Sequence, residues 1–361
     1  MRFAFVITNL NGGGAEKAIV NLAQHLQQAG HTVRLLACEA GGDYPLPSGL
    51  TLEVLQPGGA EASKGWLGKR LLAWRLRGAL AGWNADLLVS TLPFADEVAA
   101  LSRLPRHCCR IANTLSAEVS RLARHSPAKA RRRLARYRAV YGRRPLIAVS
   151  HGVAADLQQA LQLQSPVTVI HNPFDAPAIR RAAAEPCAAR PTQDFVLHVG
   201  RFAGQKRHDL LLDAWQRLAA PPLLVLLANP EPGLLRLIAE RGLENRVLVA
   251  GFQRNPYPWM AAARLLVLCS DHEGLPNVLV EALLCGTPVL STDCPSGPRE
   301  ILGAAQPEAL VPCDDPTALA ERIAAFLDTA PDPASVNLEG FAVAHAVRAY
   351  EALAMQAGGP A

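Results

Sequence analysis

Two glutamates eight positions apart frame the segment Glu273-Gly274-Leu275-Pro276-Asn277-Val278-Leu279-Val280-Glu281. An apolar run, 265–269, precedes it, and Cys285-Gly286-Thr287-Pro288 follows. These residue types predict a strand ending at Ser270, a short loop carrying Glu273 and Gly274, and a helix that Pro276 opens and Gly286 closes. The amides and positive dipole end of such a helix seat an anion. A carboxylate at the strand end reaches the hydroxyls of whatever that anion carries. Phosphate plus polyol points to a nucleotide sugar. Two acids on an ordinary solvated helix face would need neither the strand nor the Gly-Leu-Pro-Asn turn.

Two further clusters stand at strand ends. Val199-Gly200-Arg201-Phe202-Ala203-Gly204-Gln205-Lys206 follows an apolar run, which places Arg201 and Lys206 at a carboxyl edge. Asn11-Gly12-Gly13-Gly14-Ala15-Glu16-Lys17 lies between the first strand and first helix, and its glycines admit a ligand close to the backbone. Lys17 occupies the place of the third glycine of a dinucleotide fingerprint, which argues against a nicotinamide enzyme. Asp271-His272-Glu273 imitates an Asp-x-Asp metal signature only loosely, so a metal-free site is expected.

These motifs resemble those of the retaining GT-B glycosyltransferases of family 4 (glycosyl transferases group 1). That family includes sucrose synthases, phosphatidylinositol mannosyltransferases and many bacterial enzymes of polysaccharide and lipid-linked glycan biosynthesis. The resemblance implies that Glu273 contacts the transferred sugar and Glu281 the nucleotide ribose. It implies that Arg201 and Lys206 hold the donor diphosphate and neutralise charge that grows as the sugar leaves. Gly274, Leu275, Pro276, Asn277 and Val278 complete the donor loop. Gly13 and Gly14 fall near the donor phosphates, and Phe252, in Gly251-Phe252-Gln253, near the nucleobase. Transfer would retain anomeric configuration, the departing phosphate taking the acceptor proton, with no cofactor and no metal.

The chain departs from the family's pattern at one place. Many relatives carry a histidine after the strand equivalent to 109–112, where this sequence reads Ile111-Ala112-Asn113-Thr114. Asn113 or Thr114 is the hydrogen-bonding residue expected on the acceptor side. The segment 291–301 looks like versions found in enzymes using acetamido-sugar donors. Hexose and N-acetylhexosamine both stay open, with UDP favoured over GDP as the nucleotide. The alternative to transfer is a non-catalytic sugar-nucleotide-binding partner subunit.

These residues need two sheets to position them. The 361 residues, half of them apolar, suffice for two domains with cores of their own. Strands are expected at 3–9, 32–38, 87–91, 109–112, 146–149 and 167–170, with helical patterns between them. A second series follows at 195–199, 223–228, 247–250, 265–269 and 289–291. The expected architecture is α/β: two doubly wound, Rossmann-like parallel-sheet domains facing across a cleft, the GT-B arrangement. Residues 1–172 form the acceptor domain, 173–194 the proline-rich linker, 195–335 the nucleotide-sugar domain, and 336–361 a helix expected to pack back on the first domain.

Eight scattered cysteines without Cys-x-x-Cys spacing read as reduced thiols. No apolar run is long enough to cross a bilayer, and Met1–Ile7 leads into Thr8-Asn9 without a signal-peptide core, so a cytoplasmic location is expected. The net charge of +5 decides little by itself, but its distribution is informative. From Arg121 to Arg144 the chain is rich in arginine and free of Asp and Glu, which predicts a cationic helix with Leu122, Leu134, Tyr137 and Tyr141 as a partial apolar face. Such a helix suits an anionic membrane surface on the inner face of the cytoplasmic membrane, or an acceptor's phosphates, better than nucleic acid.

Overall fold

The computed structural model describes residues 1–11, 13–42, 46–56 and 65–358. Gly12 of the glycine loop lies outside them. The chain divides into two compact units, Met1–Pro173 with Phe341–Ala361, and Phe174–Gly340.

The first unit is a seven-stranded sheet of β1 (Arg2–Ile7), β2 (Thr32–Ala37), β3 (Leu52–Val54), β4 (Leu87–Thr91), β5 (His107–Ile111), β6 (Leu146–Ala148) and β7 (Val167–Val169). Their order is β3-β2-β1-β4-β5-β6-β7, with every neighbouring pair parallel. Helices α1 (Gly14–Gln28), α2 (Trp66–Ala79), α3 (Pro93–Ser102), α4 (Leu115–His125), α5 (Pro127–Tyr141) and α6 (His151–Ala155) form the crossovers. Side chains alternate across the sheet as the pleat requires. Phe3, Phe5 and Ile7 share a core with Ile19, Leu22 and Leu26 of α1, while Ala4 and Val6 share one with Leu72, Leu76 and Val98 of α2 and α3.

The second unit carries α7 (Ala176–Ala183) and six strands: β8 (Phe195–Val199), β9 (Leu223–Leu227), β10 (Val247–Val249), β11 (Leu265–Leu268), β12 (Val289–Thr292) and β13 (Leu310–Val311). The order is β10-β9-β8-β11-β12-β13, again parallel throughout. Its other helices are α8 (His208–Arg217), α9 (Pro232–Ala239), α10 (Tyr257–Ala262), α11 (Asn277–Leu284), α12 (Pro298–Leu302) and α13 (Pro316–Asp328). The last helix, α14 (Val343–Gly358), belongs to the first unit, where Ala346, Tyr350 and Ala354 join the α1 core. Both sheets are therefore doubly wound, with strand order reversing between β1 and β4 and between β8 and β11. Those two reversal points are where open α/β sheets hold ligands.

Three features differ from the sequence reading. The short edge strands β3 and β13 were not anticipated. The proline-rich stretch expected as linker contains α7, whose Asp175 side chain caps it by accepting from the Ala178 amide. The expected single cationic helix is two, α4 and α5, because Ser126 leaves helical geometry ahead of Pro127, which starts a new helix. Tyr137 and Tyr141 are also buried rather than offered to a surface, their hydroxyls donating to Glu118 and Asp96.

Asp96 anchors a polar network inside the first unit. Its carboxylate accepts from Ser90 Oγ at 2.5 Å and Tyr141 Oη at 2.8 Å, and Ser90 Oγ lies 2.8 Å from His107 Nε2. Burial pushes the Asp96 carboxyl up to about 7, and burial drives the His107 imidazole down to about 3. The Asp96 pKa is raised above its unfolded value, so its contribution to stability is complete below about pH 4 and is lost as pH rises through about 7. Asp96→Asn should remove this loss. In denaturant unfolding, the wild type should weaken relative to Asp96→Asn between pH 4 and pH 7, by about 1.4 kcal/mol per pKa unit at most. Parallel profiles for the two proteins would show that the carboxyl is not held protonated.

Candidate functional site

β8 ends at Val199, and Gly200–Ala203 lead into a one-turn 3-10 helix, Gly204–Lys206. β11 ends at Leu268, and the chain reaches α11 through the loop containing Glu273. The two strands are hydrogen-bonded neighbours whose connections leave in opposite directions, so these loops flank the reversal point. Hydrogen bonds join the loops. The Asp271 amide donates to Gln205 O at 2.8 Å, and Gln205 Nε2 donates to His272 O at 2.6 Å. Lys206 Nζ then donates to Glu273 Oε1 at 2.6 Å. The two side chains are 18% and 9% exposed, so the pair is sheltered but not sealed from water.

Arg207 holds this geometry from behind. Its backbone is left-handed, φ +48°, and its guanidinium donates to Asp209, to Asp271 Oδ1 at 2.7 Å, and to Asp314. Burial alone would lower its pKa, but the three carboxylates outweigh that and keep it firmly charged. One cation thus ties the loop after β8 to the loop after β11. His198 and His208, buried beside it with rings 4.7 Å apart, are held neutral by burial, His208 at about 4. Arg201 is exposed at the rim and makes no hydrogen bond or ion pair among the described residues.

α11 begins after Pro276 with no side-chain cap and no acid in its first turn. Gly274, Leu275 and Pro276 are buried, while Asn277 and Val278 are half-buried at the helix start. Gly297 packs directly against this turn at φ +98°, where a Cβ would overlap Pro276 Cδ and lie 3.2 Å from Gly274 O. Glu281, one turn into α11, is buried and accepts from Tyr257 Oη at 3.4 Å. Phe252 follows Gly251, at φ +77°, and is 59% exposed.

In the first unit, Gly13 and Gly14 open α1 at the β1 end of the reversal point. A Cβ on Gly13 would overlap only the end of the Glu16 side chain, whose carboxylate lies against this glycine. Arg110, buried in β5, donates to Thr91 Oγ1 at 3.2 Å and to Asn172 Oδ1. Asn113 and Thr114 lie in the loop after β5. Asn113 Nδ2 donates to Glu118 Oε1 at 3.0 Å, and its Oδ1 accepts from the Thr114 amide. Asp156 Oδ2 accepts from the Leu115 and Ser116 amides and so occupies the start of α4.

The structure therefore joins Lys206 to Glu273 directly and places Arg201, Gly274–Val278 and Glu281 on the same sheet edge. Gly13, Gly14, Asn113 and Thr114 belong to the other unit. Sequence reasoning missed Arg207, Tyr257 and Arg110, and singled out the segment 291–301 without giving Gly297 a role. Only Arg207 carried a signal, as a second cation adjoining Lys206; the others owe their importance to contacts remote in sequence.

Two family models match, glycosyl transferases group 1 over residues 193–329 and glycosyltransferase family 4 over residues 12–176. The chain is 35% identical over 182 residues to the N-acetylgalactosamine-N,N'-diacetylbacillosaminyl-diphospho-undecaprenol 4-alpha-N-acetylgalactosaminyltransferase of Campylobacter jejuni, covering 50% of this chain and 49% of that one. It spans about half the length, or less, of most curated relatives it matches. Among solved structures, sucrose-phosphate synthase from Thermosynechococcus elongatus superposes with TM-score 0.74 at 20% identity, covering 99% of this chain and 97% of that one. The Anabaena protein HepE, solved in complex with UDP and glucose, superposes with TM-score 0.71 at 21% identity over 98% and 100%. These likenesses establish the GT-B fold.

Gly297→Ala tests whether the turn before α11 depends on that close approach. It should cost about 1–3 kcal/mol, because both the backbone region and the contact with Pro276 are refused to a side chain. Chemical denaturation measures this directly, and an unchanged midpoint would show that the turn relaxes without strain.

Proposed function

The chain belongs to the glycosyl transferases of group 1, family 4, and from that premise we propose that it is a retaining, metal-independent glycosyltransferase using a nucleotide-sugar donor. The observation that carries this reading is the Lys206–Glu273 pair at the reversal point of the second sheet, with Arg201 at the rim and the start of α11, whose first turn holds no acid, following the Glu273 loop. A cation, a carboxylate and a helix amino end meet where such sheets bind ligands.

In this reading the donor diphosphate takes Arg201 and Lys206 as counter-ions and lies against the amides of Asn277 and Val278. Glu281 accepts from the ribose hydroxyls, and Phe252 covers the base. Glu273 orients the sugar hydroxyls. The bond between the anomeric carbon and the phosphate oxygen breaks, and its electron pair leaves with the diphosphate. The acceptor hydroxyl oxygen bonds to that carbon on the same face, and its proton passes to the departing phosphate. No strong protein base is needed, because charge neutralisation at the leaving group supplies the driving force.

The donor is assigned as UDP-linked hexose or N-acetylhexosamine, and the acceptor as a lipid-linked or cell-envelope glycan approaching Asn113 and Thr114. The Campylobacter relative's name describes N-acetylgalactosaminyl transfer to a diphospho-undecaprenol glycan, and the HepE structure holds UDP; both support this assignment.

Thermal shift with UDP, GDP, ADP and their sugar conjugates tests the donor. One nucleotide family should stabilise the protein, through RT ln(1 + [L]/Kd), and the shift should persist in chelator and disappear in Glu281→Ala. Stabilisation by none of them would overturn the reading. Lys206→Ala should lower the transfer rate about 100- to 1,000-fold with a smaller effect on donor KM, since the lysine acts mainly on charge developing in the transition state. Loss confined to KM would assign Lys206 to ground-state binding alone.

A further inference from the structure

Helix α2 is polarised in an unusual way. Leu72, Ala73 and Leu76 face inward onto the first unit's core. The outward face carries Trp66, Leu67, Arg70, Leu71, Trp74 and Arg77, with Trp66, Leu67 and Trp74 exposed by 64%, 74% and 71%. Isolated apolar side chains on a surface are ordinary, but two indoles and two leucines grouped on one helix face mark an interaction site. The helix contains no acid, and the Arg70 guanidinium lies 4.5 Å from the Trp66 ring centroid, pairing cation and indole on the same face.

The neighbouring charge has the same sign. Lys69 of α2 donates to Glu97 of α3 at 2.5 Å, and Glu97 also pairs with Arg136 of α5 at 3.4 Å, so the three helices lie side by side. α5 adds the exposed Lys129 and Arg132, which share the helix face of Arg136 by their i, i+3, i+7 spacing. An apolar, indole-bearing ridge thus adjoins a cationic field.

We propose that this surface docks on an anionic phospholipid bilayer. The indoles and leucines of α2 enter the boundary between headgroups and acyl chains, and the arginines of α2 and α5 rest on headgroup phosphates. Indoles favour that boundary because the ring is apolar and its N–H is polar, and arginine stems extend along apolar surface while their heads stay in the phosphate layer. Each cation near an anionic surface adds to the attraction, which explains why the ridge and the arginines occur together. A second copy fits less well, since a symmetric contact would press cation against cation. No helix among the described residues is long and apolar enough to cross a membrane, so the contact lies in the interface plane. This inference stands independently of the transferase reading.

The test uses the full chain with vesicles of phosphatidylglycerol mixed into phosphatidylcholine, read by flotation and tryptophan fluorescence. Trp215 and Trp259 are buried and Trp83 is half-buried, so the signal is assigned to α2 by its loss when Trp66 and Trp74 are replaced. Wild type should float with the anionic vesicles, shift its emission to the blue and be quenched by brominated acyl chains. Trp66→Ser with Trp74→Ser should weaken binding about tenfold or more and abolish the quenching. Lys129→Glu with Arg132→Glu should weaken binding to anionic vesicles, and higher ionic strength should do the same. Nucleotide-induced thermal stabilisation, or simply an unchanged melting temperature, verifies that both variants are folded. No vesicle binding by wild type, or equal binding by the tryptophan variant, would overturn the proposal. Self-association that disappears in the tryptophan variant without any vesicle binding would assign the ridge to a second copy instead.

Discussion

The Lys206 ammonium and Glu273 carboxylate, 2.6 Å apart, form the contact around which the second unit's binding edge is arranged. Its net effect on stability is small. At a partly exposed site the attraction is of the order of 4 kcal/mol at 4 Å, and removing two ions from bulk water costs a comparable amount. What the pair fixes is position. Either partner alone would be a half-buried charge seeking another counter-ion, so each holds the other's loop in place. Under the proposed function, a bound diphosphate would compete with Glu273 for Lys206.

That arrangement requires rigid loops. Gln205 and Asp271 stitch the two backbones together, Arg207 bonds carboxylates on three separate segments, and Gly297 supports the turn before α11 from its far side. None of these residues needs to touch a ligand. They convert the reversal of strand order, which only brings two loops near each other, into a fixed distance between a cation and a carboxylate.

The legibility of this structure in its sequence followed burial. Strands such as 87–91 and 195–199 are covered on both faces and read as mainly apolar runs, so their limits matched the structure. β3 and β13 were missed because three- and two-residue edge strands leave too little pattern. The basic segment was read as one helix because its arginines run on past Ser126, although Pro127 carried the start signal. The burial of Tyr137 and Tyr141 depends on Glu118 and Asp96, residues outside the segment. The Glu273 segment could be recognised from its own composition, but its pairing with Lys206 spans 67 positions, and the support from Gly297 becomes visible only as a contact between backbones.

The two glycine-bearing helix starts show why similar motifs need not do similar work. α1 has an acid in its first turn: Glu16 is buried, folds back against Gly13, and lies within electrostatic reach of the buried Arg110. The positive end of that helix already faces a protein carboxylate, which lowers its appetite for a ligand phosphate. α11 has neither a side-chain cap nor a first-turn acid, and cations stand opposite it on the loop after β8. One sheet edge is thus pre-neutralised by its own acid, and of the two helix starts the second is the one better suited to an anion.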